Sequence, residues 1–98
     1  MDVRFAQSAF GDLEAMMAWY EAEGVPHIGI KFSQEIMAHI QVLSGHPDLG
    51  RMVPEFQQAY IREVIHPPFR VVYFREADAI TVVRIWRSER LLVLPGTG

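Results

Sequence analysis

Cysteine is absent from the 98 residues, which excludes disulfides, thiol catalysis and cysteine-ligated zinc and fits a reducing compartment. Long apolar runs are missing too. No stretch approaches the roughly 20 uncharged residues that cross a bilayer, and the opening Met1-Asp2-Val3-Arg4-Phe5 has neither a basic n-region nor an apolar h-region. A cytoplasmic protein, neither exported nor inserted in a membrane, is the expectation. There is no glycine-rich phosphate loop and no serine in a G-x-S-x-G setting, so no cofactor is expected. His27, His39, His46 and His66 are scattered with no paired spacing, and no metal site is expected, because zinc needs three or four convergent ligands. Excess positive charge is lacking as well. Nine Lys and Arg against twelve Asp and Glu leave −3, which argues against salt-dependent binding of nucleic acid over the whole surface.

What is present suffices for one core. Half of the residues are hydrophobic and 11% aromatic, so intrinsic disorder is excluded for most of the chain. One domain over residues 1–98 is expected, burying roughly 60–65% of the surface that its unfolded form exposes. Its charge is divided unevenly. Residues 1–50 carry seven acidic and two basic side chains, net −5, whereas residues 51–98 carry seven arginines against five acids, net +2. Every cation in the second half is arginine, whose planar fork suits carboxylates, phosphates and aromatic faces.

The periodicity divides the chain into two helices and a set of strands. Val3 and Phe5 alternate with polar residues, which predicts a short opening strand. Ser8 then reads as a helix cap, with Asp12 and Glu14 near the positive end of the dipole. Phe10, Leu13, Met16, Met17 and Tyr20 form a helical stripe that Gly24-Val25-Pro26 ends. Ile28, Phe32, Ile36, Ile40 and Leu43 form a second stripe, stopped by Ser44-Gly45-His46-Pro47. The two predict an antiparallel helical hairpin. Residues 50–56 have loop character. Beyond them Tyr60–Ile65, Phe69–Phe74 and Ile80–Trp86 are β-rich runs joined by connections short enough for hairpins. An α+β fold follows: a short N-terminal strand and a two-helix antiparallel hairpin packed on an antiparallel β-sheet of three to four strands. Leu91-Leu92-Val93-Leu94 is an apolar run outside this meander, suited to an edge strand or to docking on another chain.

Four motifs, in order, carry a resemblance. They are His46-Pro47-Asp48-Leu49-Gly50-Arg51-Met52-Val53-Pro54-Glu55, Ile61-Arg62-Glu63, Phe69-Arg70-Val71-Val72-Tyr73, and Ile80 through Arg90. Ser8, Gly11, Asp12 and Leu13 add a looser N-terminal pattern. Over about residues 2–92 the chain resembles the toxins of bacterial type II toxin–antitoxin systems, the RelE/ParE superfamily, also described as plasmid stabilisation proteins. The resemblance implies a helical hairpin on an antiparallel sheet, as the periodicity does.

It also implies one of two activities. RelE-like members cut messenger RNA in the ribosomal A site, and ParE-like members poison DNA gyrase. Cleavage by 2′-OH attack needs a base, cations on the phosphate and an acid for the leaving oxygen. Arg70 and Arg90 match by position the two arginines that RelE-like members use on the phosphate, and Glu63 is the candidate base, although the simpler reading of Glu63 is an ion pair with Arg62 or Arg70. The remaining machinery is missing: Ile61 and Glu63 stand where RelE has lysines, and no Tyr or His follows Leu92. The ParE-like reading is therefore favoured, with Arg84, Trp86, Arg87 and Arg90 as the target contact, residue types that often make interface hot spots. Either activity implies a cognate antitoxin, forming a hetero-oligomer with the toxin, for which Arg51, Arg62, Leu91 and Leu92 are the candidate contacts. A non-toxic assembly relative is a third possibility.

Overall fold

The computed structural model describes residues 1–88. Strand β1 (Asp2–Phe5) leads into helix α1 (Gln7–Ala22), which turns through Gly24 into helix α2 (Pro26–Val42). Strands β2 (Arg51–Met52), β3 (Ile61–His66), β4 (Phe69–Arg75) and β5 (Ala79–Arg87) follow. Gly24 has φ +80°, the left-handed conformation that closes a helix cheaply only without a Cβ, and Pro26 opens the next helix where its missing N–H costs nothing. The helical hairpin and the three long strands thus stand where the periodicity puts them.

The sheet is wider than expected and not wholly antiparallel. Among the described residues it has five strands in the order β1-β5-β4-β3-β2. β2, β3, β4 and β5 pair antiparallel, but β1 lies parallel to β5, Val3 opposite Ile80 and Phe5 opposite Val82. Strand β2 runs opposite to β1, and the three reversals from β2 through β3 and β4 to β5 leave β5 running the same way as β1. Strand β2 occupies the segment read as loop. Its two residues, between Gly50 and Pro54, are too short for a local signal and exist only through pairing with Glu63 and Arg62.

Helix α2 buries the expected stripe, whereas α1 buries one shifted from it. On α1 the inward positions are Ala9, Leu13, Met16 and Tyr20, while Phe10 is 51% exposed and rests on Phe5, and Met17 is exposed as well. On α2, Ile36 and Ile40 are buried, with Leu43 just beyond, and Ile28 and Phe32 pack partly against them. These side chains cover Val64, Phe69, Val71, Tyr73, Ile80, Val82 and Ile85 of the sheet. The opposite face carries a smaller cluster of Val53, Ile61, Val72 and Val83, flanked by Phe56, Phe74 and Trp86. In β5 the register slips: Tyr73 faces Val82 but Val72 faces Arg84, so Val83 is an extra, bulged residue.

Ser8 does not cap α1. The N-cap is Ala6, whose amide is already engaged with the Val82 carbonyl at 2.9 Å, and no side chain caps it. The Ser8 hydroxyl instead donates to the Val83 carbonyl at 2.6 Å. Strand β1 ends opposite Val82, and from there the start of α1 takes over the edge of β5. One helical turn after Ser8, the Asp12 carboxylate accepts from the Ile85 amide at 2.9 Å. Two polar side chains at i and i+4 thus satisfy backbone groups that a longer β1 would have paired.

Candidate functional site

Asp12 gathers the C-terminal end of β5. Its Oδ2 accepts from Arg84 Nε at 2.9 Å as well as from the Ile85 amide, and its Oδ1 accepts from Arg84 Nη2 at 2.8 Å and from Trp86 Nε1 at 3.2 Å. The Arg84 guanidinium lies 4.2 Å from the centre of the Trp86 ring, a cation–π contact. One strand turn on, the Arg87 guanidinium stands 5.9 Å from the centre of the Phe69 ring. Between α1 and this strand end is a groove of about 550 Å³, with Trp19, Tyr20, Phe69, Trp86 and Arg87 among its walls. Trp19 is 55% exposed and sits edge-on to Tyr20. Arg84 and Trp86, expected from the sequence to meet a target, are therefore brought together and oriented by Asp12, and Arg87, expected with them, lines the same groove beside Phe69. Arg90, expected with them, and Leu91 and Leu92, expected to meet an antitoxin, lie outside the described residues.

A second constellation occupies β2, β3 and β4. Glu63 is 1% exposed and takes an arginine on each oxygen: Arg70 Nε donates to Oε1 at 2.7 Å, and Arg51 Nε to Oε2 at 2.7 Å. Arg70, 7% exposed, sends its other two nitrogens to Glu55 in a two-bond fork, at 2.6 and 2.8 Å. The ion pair foreseen for Glu63 is thus with Arg70, and with Arg51 rather than Arg62. Arg70 bound to Glu55 holds that carboxyl below the usual carboxylate range, and the two carboxylates push the Arg70 guanidinium further above its ordinary value. All three nitrogens of Arg70 are engaged by carboxylates, and each oxygen of Glu63 already accepts from a cation.

Arg62 stands apart on the other face of β3. Its Nη1 donates to the Gly50 carbonyl at 2.9 Å, its Nε lies 3.8 Å from Asp48, and that Nε has no hydrogen-bond partner among the described residues. Arg51 and Arg62 therefore do not form one patch: Arg51 opposes Glu63 and Arg62 opposes Met52, on alternate faces. Nearby, the buried Tyr73 hydroxyl donates to the Pro47 carbonyl at 2.7 Å and accepts from the Gly50 amide at 2.9 Å, which latches the loop before β2.

Asp12, Glu55 and Tyr73 were not named as site residues by the sequence. Ser8 and Asp12 at helical spacing beside an apolar stripe were a usable signal for the first. Glu55 and Tyr73 lie inside the motifs, but their partners are ten or more residues away and no local pattern marks them. Among the described residues no three His, Cys, Asp or Glu side chains converge as a metal site, and no helix is long and apolar enough to cross a membrane.

The family model for the ParE toxin of the type II toxin–antitoxin system, parDE, matches residues 3–92. A solved structure described as the chromosomal ParDE TA system from P. aeruginosa is similar over 91% of this chain and 97% of its own, with a TM-score of 0.76 and 23% identity. At that identity the likeness shows the fold. No curated protein matches the chain at a significant level.

Proposed function

The chain belongs to the ParE toxin family of type II toxin–antitoxin systems, and from that membership we propose that it inhibits DNA gyrase and is neutralised by a cognate antitoxin. The observation that carries this reading over ribosome-dependent RNA cleavage is the engagement of all three Arg70 nitrogens by carboxylates. A phosphate-binding arginine must turn N–H groups toward substrate, and three of the five on Arg70, one from each nitrogen, are engaged by Glu55 and Glu63 at 2.6–2.8 Å, with the side chain itself 8% exposed. Releasing them would deprive Glu55 of its fork and leave the fully buried Glu63 with Arg51 alone.

The surface proposed to meet gyrase is the end of β5, Arg84 to Arg87, with Arg90 as a further contact. Trp86 and Arg87 are of the types that dominate interface energetics, and Asp12 orders Trp86 and Arg84 before binding, which lowers the entropic cost of association. Catalysis by the toxin is not part of the reading, and on it the protein acts in the cytoplasm.

The antitoxin is proposed as a small protein with a segment that folds on binding, recognising the arginines of the second half with acidic residues. The solved ParDE structure supports such a partner by its name.

Pulse incorporation of labelled thymidine and leucine within minutes of inducing the chain without antitoxin tests the target. Thymidine falling first, with a DNA-damage response, is the expected result. Leucine falling first would assign the ribosome instead, and unimpaired growth at high expression would indicate a non-toxic relative. Arg87→Ala with Arg90→Ala is expected to abolish toxicity while antitoxin binding stays detectable.

A further inference from the structure

Outside the groove, two histidines that the sequence separates by 27 positions face each other. His39 on α2 and His66 at the end of β3 bring their Nδ1 atoms to 3.3 Å, with the rings 5.5 Å apart and inclined at 61°. One helical turn before His39, Glu35 places Oε2 3.6 Å from the other nitrogen of the His66 ring, Nε2. The line therefore runs carboxylate, imidazole, gap, imidazole. A carboxylate behind Nε2 favours the tautomer with the proton on Nε2 and a lone pair on Nδ1, aimed at His39.

We propose that His39 and His66 form a bidentate clip for a divalent transition metal of the zinc class, with Glu35 orienting His66. Three features support it. First, in tetrahedral zinc with Zn–N bonds of about 2.0–2.1 Å, neighbouring ligand nitrogens are about 3.3–3.4 Å apart, the separation of the two Nδ1 atoms. Secondly, both histidines are only partly buried and the His66 side chain is 21% exposed, so an ion can enter and solvent can supply the remaining ligands. Thirdly, Glu35 stands beside the far nitrogen of His66 at 3.6 Å, a small movement from the hydrogen bond that a ligating histidine usually makes to an outer-shell carboxylate. Burial and the neighbouring His66 keep His39 neutral more readily than a free imidazole, in line with a ligand role. The clip would tie α2 to the β3–β4 hairpin. It was invisible in the sequence because its two ligands come from different elements rather than from one helix face.

Isothermal titration of the full chain, made by cell-free synthesis, with Zn²⁺ tests the assignment. One ion bound per chain is expected, with a rise in Tm. His39→Gln and His66→Gln should each remove the binding, and Glu35→Gln should weaken it about tenfold or more. The pair His27→Gln and His46→Gln should leave it unchanged. Should the clip variants fail to fold, the wild-type protein still decides, because the imidazole Hε1 resonances of His39 and His66 are expected to move together and saturate at one equivalent. Absence of binding to the wild type would reduce the pair to a shared hydrogen bond. Undiminished binding in His39→Gln, or movement of other histidine resonances in their place, would likewise overturn the clip.

Discussion

Asp12 and Arg84, 72 residues apart in the chain, meet through two hydrogen bonds of 2.9 and 2.8 Å and so fasten the first helix to the last described strand. The same carboxylate receives the Ile85 amide and the Trp86 indole. One side chain therefore does two things: it closes the open edge of β5 and it orients the residues proposed to meet gyrase.

Replacing Asp12 by alanine removes every one of these acceptors. The loss expected is roughly 2–4 kcal/mol, because the pair is largely shielded and Arg84 and the Ile85 amide are left without their anion. Urea denaturation measures it. Toxicity should fall in the same variant, since Arg84 and Trp86 lose their orientation, and an unchanged unfolding midpoint would show that the anchor contributes nothing to the fold.

Arg70→Ala should cost about 3–5 kcal/mol, a large share of the 5–15 kcal/mol that holds a typical domain together. The cause is the fate of Glu63, whose side chain is wholly buried and would retain only Arg51. Loss of soluble protein or a strongly lowered Tm checks this. A variant as stable as the parent would mean that Arg70 is held less tightly than its three partnered nitrogens indicate.

The loop before β2 tolerates no side chain at Gly50. A Cβ there would stand 2.7 Å from the Glu63 carbonyl oxygen and 2.7 Å from the Tyr73 hydroxyl and ring edge. Neither a strand carbonyl nor a buried ring can retreat cheaply, and Gly50→Ala is expected to destabilise by about 1–3 kcal/mol. Tyr73→Phe should cost a similar amount, about 1–3 kcal/mol, by leaving the Gly50 amide and the Pro47 carbonyl unpaired. Because both act on one latch, the double variant should lose less than the sum of the two. Strict additivity in thermal melts would separate them.

Acid should loosen the Arg70 network through Glu55. Its folded pKa is depressed, chiefly by the Arg70 hydrogen bond, so its contribution is present above the unfolded value of about 4.3 and disappears as the pH falls through the folded one. Denaturation midpoints followed from pH 7 to pH 3 should therefore decline more steeply in the wild type than in Glu55→Gln. Parallel curves would remove Glu55 from the acid response.

The residues show how far local pattern reached. Gly24 and Pro26 mark a helix end and a helix start by their own backbone chemistry, and both acted there. Phe10 fitted the apolar stripe of α1 yet lies outward on Phe5, because Ala9 takes the inward place against β5. Ser8 had the chemistry of a cap, but Ala6 was already tied to Val82, so the helix began earlier and the hydroxyl served the sheet edge. Arg70 stood out as a phosphate ligand by position, while Glu55, which occupies it, carried no signal in a loop fifteen residues upstream.

By itself the sequence determined the two helices, the three long strands and the family, because periodicity, helix stops and motif order are properties of neighbouring residues. Tertiary structure alone decided that β1 lies parallel against β5, that Arg51–Met52 is a strand, that Asp12 holds Arg84 and Trp86, and that His39 faces His66. Those pairings depend on the accumulated directions of several chain reversals and on which edge remains open after them, and no window of sequence contains that information.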